Sequence, residues 1–346
     1  MNSPIRPSRP HRALLGACCL LTVAATLTAC GGSSGSDTDG ADTKDAKTAR
    51  TDAGAFPVTI TSKFGTARIT KAPKRVVALG WSDQDALLAL GVKPVAIVKT
   101  EDSFKNGVGP WAEKALGDSR PEVLNTTDGY SVEKIAALHP DLIVGVQSGL
   151  TGADYTKLSQ IAPTVGYLKG RQAYGTPWEE QTDLIGKAVG RGKEAKAAVA
   201  QVKSGLRKDA KTYPQLQNKS FLYAFPQPAN GRVVLYKDER TKVLQQVGLT
   251  LDPVVGKGAK MNSFANSLST EHLDELTSDA LIIWYNTPKD RTQLESSAAF
   301  KKLPAVRHHA YVPLDRTMSQ ATSAPSVLSI PWSMQKLLPP LAKSLG

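Results

Sequence analysis

Cysteine is nearly absent from this chain, and its placement is informative. The three cysteines, Cys18, Cys19 and Cys30, all fall within the first 30 residues of a chain of 346. The remainder therefore has no disulfide framework and no thiol chemistry available to it. It must be stabilised by its hydrophobic core, and a chain of this length can bury one or two substantial cores.

Signatures of catalysis are also scarce. The run 145–149 places its serine one position too late for the G-x-S-x-G turn that presents a nucleophile. The run 107–112 approaches a dinucleotide fingerprint, but Pro110 lacks the N–H that a phosphate would need. Five histidines are few for a dedicated zinc-binding protein. We therefore expect a protein that is not an enzyme, and an envelope enzyme without a recognisable motif stays open as an alternative.

The N-terminal stretch has the layout of a secretory signal. Arg6, Arg9 and Arg12 precede an apolar run at 13–27, and no acidic residue interrupts them. The run is shorter than the roughly 20 residues that span a bilayer as a helix, so a permanent transmembrane anchor is the weaker alternative. Export is the first inference about this protein.

The end of the apolar run resembles the lipobox of bacterial lipoproteins. Small residues at 28–29 precede Cys30, whose thiol would accept the lipid and whose amino group would become the mature N-terminus. The resemblance implies a signal peptide at 1–29 and a protein anchored at the extracytoplasmic face of the cell membrane. Two or more acyl chains on Cys30 would give stable attachment, whereas one would be marginal.

Composition and charge divide the rest into a tether and a body. Residues 30–55 are rich in Gly, Ser, Thr, Asp and Ala and contain no aromatic residue, so they cannot bury enough surface to order themselves. The formal net charge of the chain is +12, and about +11 remains on the body once the leader and the tether are set aside. A basic body attracts nucleic acid, an anionic surface or an anionic ligand. Export argues against nucleic acid as a partner.

Short β-branched runs alternate with helical patterns along the body, as in α/β domains with parallel sheets. Four strands, at 76–79, 95–98, 142–146 and 164–167, predict an N-terminal lobe at 56–190. A C-terminal lobe at 213–346 is predicted by the same alternation. Its expected strands are 220–224, 233–236, 280–285 and 310–313, and its expected helices are 241–247, 271–276 and 325–344.

A long helical pattern separates the two α/β halves. Helix formers fill 178–212. Apolar residues fall at helical spacing in the second half of this range, so that one face packs and the other is solvated; they are Ala195, Ala198, Val199, Val202 and Leu206. We predict an interdomain helix at 191–212. An ordinary crossover helix fits the periodicity equally well.

Several segments in order resemble one family, the ABC-transporter binding proteins for ferric siderophores and cobalamin. The similar segments are 73–79, 85–95, 131–144, 268–273, 280–283 and 303–306. The resemblance implies a class III periplasmic-binding-protein fold, with two Rossmann-like lobes joined by one long helix. It also implies a monomer that passes a ferric siderophore to ABC permease subunits. The siderophore would supply the oxygen ligands of the iron, so no cofactor and no metal-ligating residues are expected.

The resemblance carries two residues over as permease contacts. The family has one glutamate in each lobe that docks onto permease arginines, and these glutamates correspond to Glu133 and Glu271. Both fall near a predicted helix start, where the macrodipole also favours an acid.

Ligands of open α/β sheets bind at the loops that follow the carboxyl ends of the strands. Aromatic walls with a few cations in such loops suit a ferric chelate. Cobalamin or haem is the alternative ligand, although the positive body favours a chelate that is anionic or rich in oxygen. The cleft candidates read from these loops are Trp81, Ser82, Gln147, Arg171, Tyr174, Trp178, Phe225, Trp284, Tyr285, Asn286, Arg316, Thr317 and Met318.

Overall fold

A computed structural model describes residues 51–104, 106–257 and 264–346. The predicted signal peptide, Cys30 and the predicted tether up to residue 50 lie outside the described residues. From residue 47 onward the chain is one compact unit, and both predicted lobes lie within it. No helix in the described ranges is long and apolar enough to cross a membrane.

The N-terminal lobe opens with an antiparallel hairpin of β1 (Val58–Thr61) and β2 (Thr66–Ile69). A parallel sheet follows, in the order β5-β4-β3-β6-β7. Its strands are β3 (Val76–Ala78), β4 (Ala96–Val98), β5 (Glu122–Leu124), β6 (Leu142–Gly145) and β7 (Thr164–Gly166). The hairpin and β5 were not predicted. Strand β5 is an edge strand with Glu122 and Val123 exposed, so it has no buried apolar run to reveal it.

Five helices connect or cover these strands, and local sequence explains where some begin. The hydroxyl of Ser131 caps α3 by accepting from the backbone N–H of Lys134. Thr151 and Asp154 form a capping box at the start of α4. The helices are α1 (Asp83–Ala89), α2 (Glu113–Leu116), α3 (Val132–Ala137), α4 (Gly152–Ser159) and α5 (Trp178–Ala188).

The long helix α6 spans Gly192–Thr212. It is separated from α5 by a short turn in which Gly190 takes a positive φ of 69°, so the helical pattern at 178–212 is two helices. The two pack closely, because a Cβ at Gly186 would collide with the methyl of Ala195. Of the five residues on the predicted packing face of α6, Ala195, Val202 and Leu206 are buried, and Ala198 and Val199 are half-buried against the same core.

The C-terminal lobe has a mixed sheet in the order β11-β9-β8-β12-β13, with β10 also paired to β8. Strands β9 and β11 run antiparallel to their neighbours, whereas the other pairings are parallel. The strands are β8 (Ser220–Gln227), β9 (Arg232–Tyr236), β10 (Thr250–Leu251), β11 (Ala265–Ser269), β12 (Ala280–Trp284) and β13 (Tyr311–Leu314). The short β10 and the half-exposed β11 were not predicted.

The helices Pro288–Ser296, Ala298–Lys301 and Pro304–Arg307 of this lobe were not predicted, and two of the expected helices differ from those observed. The expected helix at 271–276 is a 3-10 segment, Thr270–Glu275, kinked at His272. The final helix begins later than expected and is preceded by a separate one, because the backbone leaves helical geometry at Ala324. The helices are α7 (Glu239–Gln245), α8 (Pro288–Ser296), α9 (Ala298–Lys301), α10 (Pro304–Arg307), α11 (Arg316–Ser323) and α12 (Ser329–Leu345).

The two lobes are joined by a buried polar contact as well as by α6. The carboxylate of Asp85 in α1 accepts hydrogen bonds from Ser326 Oγ at 2.6 Å and from Trp111 Nε1 at 2.7 Å. The rings of Trp111 and Trp332 lie 5.4 Å apart beside this contact. Ser326 and Trp332 belong to the C-terminal lobe, so the contact fixes one side of the junction between the lobes.

Candidate ligand-binding cleft

The carboxyl ends of strands from both lobes face each other across a cleft. Glu101 follows β4 in the N-terminal lobe, and Arg316 follows β13 in the C-terminal lobe. Their side chains form an ion pair with Arg316 Nη2 2.9 Å from Glu101 Oε2. Parallel strands present their carboxyl ends at one edge of a sheet, so this contact places the strand-end loops of the two lobes opposite each other.

Two aromatic residues form the wall on the side of the N-terminal lobe. The rings of Trp81 and Tyr174 lie 4.7 Å apart, and the residues are 45% and 38% exposed. Large aromatic side chains this open to solvent mark a binding surface more often than a packing position. Both lie in loops that the strand-end rule predicted.

Buried polar groups hold Tyr174 in place. Its backbone has a positive φ of 59°, its N–H donates to Ser148 O at 3.1 Å, and Gln147 Nε2 donates to its carbonyl at 3.0 Å. A Cβ at Gly149 would lie 2.7 Å from the Tyr174 hydroxyl, so the ring needs a glycine beside it. Gln147 is 4% exposed, and its hydrogen bond to the carbonyl of Tyr174 positions the wall.

A second aromatic wall lies in the C-terminal lobe. Phe225 and Trp284 stack face to face with centroids 3.9 Å apart and planes 6° from parallel. The guanidinium of Arg240 lies 3.8 Å from the ring centroid of Tyr236 and pairs with Asp238 at 2.9 Å. Despite this ion pair, burial raises the pKa of the Asp238 carboxyl.

Both predicted cleft arginines are paired with acids. Arg171 forms a two-point contact with Glu180, one bond of which joins Nε to Oε2 at 3.1 Å. Arg316 pairs with Glu101, and its Nη1 lies 3.5 Å from Asn286 Oδ1. Sequence reasoning found the arginines and missed Glu101, although the strand-end rule applied after the predicted strand 95–98 would have found it.

Other predicted residues lie away from the cleft surface. Trp178 is 1% exposed and belongs to a core cluster with Val202 and Leu206. Tyr285 is 7% exposed and shares a 2.6 Å hydrogen bond with the hydroxyl of Tyr311. Tyr285 follows Trp284 directly, so the alternation of side chains along extended backbone turns it to the opposite face.

Three more of the predicted residues contribute mainly to packing. Ser82 is 1% exposed and hydrogen-bonds to Gln181. Met318 packs against the core of the C-terminal lobe, and Thr317 beside it is half-buried in α11. These side chains support the loops of the cleft from behind.

Charged residues surround one end of the cleft. A pocket of about 520 Å³ lies between the loop at 170–175 and the start of α7, and Phe264 closes one side of it. Its charged lining residues are Lys63, Arg171, Lys237, Asp238, Glu239 and Lys242. A larger groove of about 710 Å³ runs between α6 and α12, away from the strand ends, and its lining is mostly apolar.

Glu133 and Glu271 lie on different lobes and are both exposed. Glu133 is in the first turn of α3, and Glu271 is in the first turn of the 3-10 segment, where its N–H donates to Ser269 Oγ. Over the described ranges no group of three or more His, Cys, Asp or Glu side chains is placed to hold a metal ion.

Comparison with known proteins identifies the family of this chain. Residues 76–316 match the family model described as periplasmic binding protein. The chain is 32% identical over 216 residues to the Fe(3+) dicitrate-binding periplasmic protein FecB of Escherichia coli, covering 60% of this chain and 67% of FecB. It is 30% identical over 301 residues to the iron(3+)-hydroxamate-binding protein FhuD of Bacillus subtilis, covering 84% and 87%.

Solved structures agree in fold. A periplasmic solute binding protein from Mycobacterium smegmatis superposes with a TM-score of 0.75 at 33% identity, over 84% of this chain and 99% of that one. PiaA of Streptococcus pneumoniae in complex with ferrichrome gives a TM-score of 0.71 at 25% identity, over 83% and 98%.

Proposed function

Because this chain belongs to the periplasmic binding protein family, we propose that it captures a ferric siderophore between its lobes and delivers it to an ABC importer. The relatives described above are named for ferric dicitrate and ferric hydroxamate, which supports an iron chelate as cargo. The protein would act as a lipid-anchored monomer and carry out no turnover.

The observation that carries the proposal is the pair of aromatic walls at facing strand ends. Trp81 with Tyr174 and Phe225 with Trp284 offer flat apolar surface to a ligand of similar character. A siderophore wraps iron in its own oxygen ligands and exposes apolar edges and carbonyl groups. The protein therefore needs only to cover these edges and to donate hydrogen bonds, and it would need no iron ligand and no cofactor of its own.

Tryptophan fluorescence tests the proposal directly. A ferric siderophore that binds between the walls should quench the emission of Trp81 and Trp284, saturably and at one site per chain. The iron-free ligand serves as the control, and mass spectrometry of the recovered ligand should show it unchanged. Absence of saturable quenching with every ferric chelate, or chemical conversion of the ligand, would reject the proposal.

Attachment to the membrane by lipid on Cys30 is tested by a single substitution. Replacing Cys30 with alanine should move the protein from the detergent phase to the aqueous phase in a phase-separation assay, because no acyl chain can be added. Retention of the variant in the detergent phase would indicate another anchor.

Docking to the permease through Glu133 and Glu271 is tested by charge reversal. The double variant Glu133→Arg, Glu271→Arg should abolish uptake of iron chelate by cells while ligand affinity stays at the wild-type value, since neither residue lies in the cleft. Glu113→Arg is a matched control, because Glu113 is an exposed acid in the first turn of α2. Uptake that survives the double reversal would contradict the docking role.

A further inference from the structure

The arginines of the cleft are paired with acids, and Glu101 is the nearly buried acid of the pair that joins the two lobes. We propose that Glu101 sets the charge selectivity of the cleft, so that the ferric chelate it accepts carries no net charge. This inference rests on the proposed function. It adds a selectivity determinant that the positive charge of the body alone would not suggest.

Glu101 is placed to neutralise Arg316 across the cleft. Its side chain is 7% exposed, whereas that of Arg316 is 51% exposed, so the acid is the buried member of the pair. Glu101 Oε1 also accepts from the N–H of Asp102 at 3.1 Å. The neighbouring cation Lys99 is already paired with Asp102. Arg316 is therefore the cation that balances the negative charge of Glu101.

The other arginines of the cleft are neutralised in the same way. Arg171 contacts Glu180 through two bonds, and Arg240 pairs with Asp238 at the base of the second aromatic wall. Each guanidinium is thus paired with a carboxylate that balances its charge. Each of these guanidinium groups keeps N–H donors that do not point at its carboxylate. These donors can bind neutral oxygen acceptors of a ligand.

A multiply anionic chelate would bind here only at the expense of these pairs. To pair with such a ligand, Arg316 would have to break its ion pair with Glu101. The nearly buried carboxylate of Glu101 would then be left without a cation and close to the negative charge of the ligand. Leaving a nearly buried carboxylate without its cation is unfavourable, because its charge is then shielded from water and has no partner. A ferric tris-hydroxamate carries no net charge and avoids this cost, whereas a ferric tris-catecholate carries three negative charges and incurs it.

Two lysines of the cleft favour an anionic chelate, but only weakly. Lys63 is exposed and Lys237 is half-buried, and both line the pocket of about 520 Å³. Salt at moderate ionic strength largely screens the attraction between exposed charges that lie more than about 10 Å apart. Titrations at raised salt therefore report the buried pairs more than these lysines.

Two chelates on one scaffold test the proposal. The full-length lipoprotein in detergent is titrated, by tryptophan quenching at low and raised salt, with a tripodal ferric tris-hydroxamate and with the tris-catecholate of the same tripod. We expect the neutral chelate to bind at least about ten-fold more tightly. Glu101→Gln keeps the shape and removes the charge, so it should shift the ratio of the two affinities by about ten-fold toward the anionic chelate. The control Glu113→Gln, at an exposed acid in the first turn of α2, should leave the ratio unchanged.

The outcomes separate the inference from the function beneath it. Equal or tighter binding of the tris-catecholate by the wild-type protein, or an unchanged ratio in a folded Glu101→Gln variant, overturns the charge selectivity and leaves ferric chelate binding intact. If neither chelate binds the wild-type protein, the proposed function fails and the inference fails with it.

Discussion

The buried carboxylate of Asp85 makes the stability of this protein depend on pH in a direction that can be worked out. Asp85 is 1% exposed, and burial, with a smaller contribution from the nearby Asp83 carboxylate, raises its pKa from 3.8 to about 6. The hydrogen bonds from Ser326 and Trp111 oppose this rise without cancelling it. A change of this size corresponds to about 3 kcal/mol between the two protonation states.

The sign follows from which state holds the proton more tightly. The folded protein keeps the proton on Asp85 to a higher pH than the unfolded chain does. The contribution of Asp85 to the free energy of unfolding is therefore highest below about pH 4 and falls by about 3 kcal/mol as the pH rises to about 6. Above that pH both states are ionised, and the contribution is constant.

Asp85→Asn removes this dependence and is the perturbation to use. Its amide oxygen can still accept from Ser326 and Trp111, and any loss at its NH₂ group is the same at every pH. Urea unfolding at a series of values from about pH 4 to about pH 7.5 should show the variant gaining on the wild type by about 3 kcal/mol as the pH rises. Asp118→Asn, an exposed control, should run parallel to the wild type.

Parallel curves for Asp85→Asn and the wild type would refute the reasoning, because Asp85 would then have the same proton affinity in both states. Asp83 is also buried, and burial raises its pKa too. It is present in both proteins, so the difference between the curves reports Asp85 together with its coupling to Asp83.

Three further substitutions test the packing and the walls of the cleft. Gly186→Ala should lower the free energy of unfolding by about 1–3 kcal/mol in urea melts, since the new methyl collides with Ala195 where α5 and α6 meet. Gly149→Ala should weaken chelate binding in fluorescence titrations with little change in melting temperature, because it displaces the ring of Tyr174; unchanged affinity would remove that ring from the site. Trp284→Ala should weaken binding by about 1–3 kcal/mol in calorimetry, and a loss of stability without a loss of affinity would assign it to packing.

Most of the central strands could be predicted from the sequence, and the edge elements could not. The strands β3, β4 and β6 are buried on both faces, so their residues form apolar runs that are readable in one dimension. Edge strands such as β5 and β11 have one solvated side and mixed composition. Their pairing depends on a neighbouring strand that is distant in the chain, so the local sequence does not predict it.

The cleft divides in the same way. The strand-end rule predicted Trp81, Tyr174, Phe225 and Trp284 as cleft residues, because that rule depends only on strand order and direction. The structure pairs their rings, Trp81 with Tyr174 and Phe225 with Trp284. It also placed Trp178 among the ligand contacts, and the tertiary structure turns that side chain into the core. Burial of a loop side chain depends on what packs against it, and a single sequence does not contain that information.

The sequence by itself determined the α/β class, the long helix and the resemblance to siderophore-binding proteins, because hydrophobic periodicity and short motifs are local properties of the chain. Only the tertiary structure decided the charge of the site. Glu101 and Arg316 lie in different lobes and far apart in the chain. They pair because the fold brings Arg316 Nη2 to 2.9 Å from Glu101 Oε2. Net charge is a sum over residues, whereas the field that a ligand meets depends on which charges are neighbours.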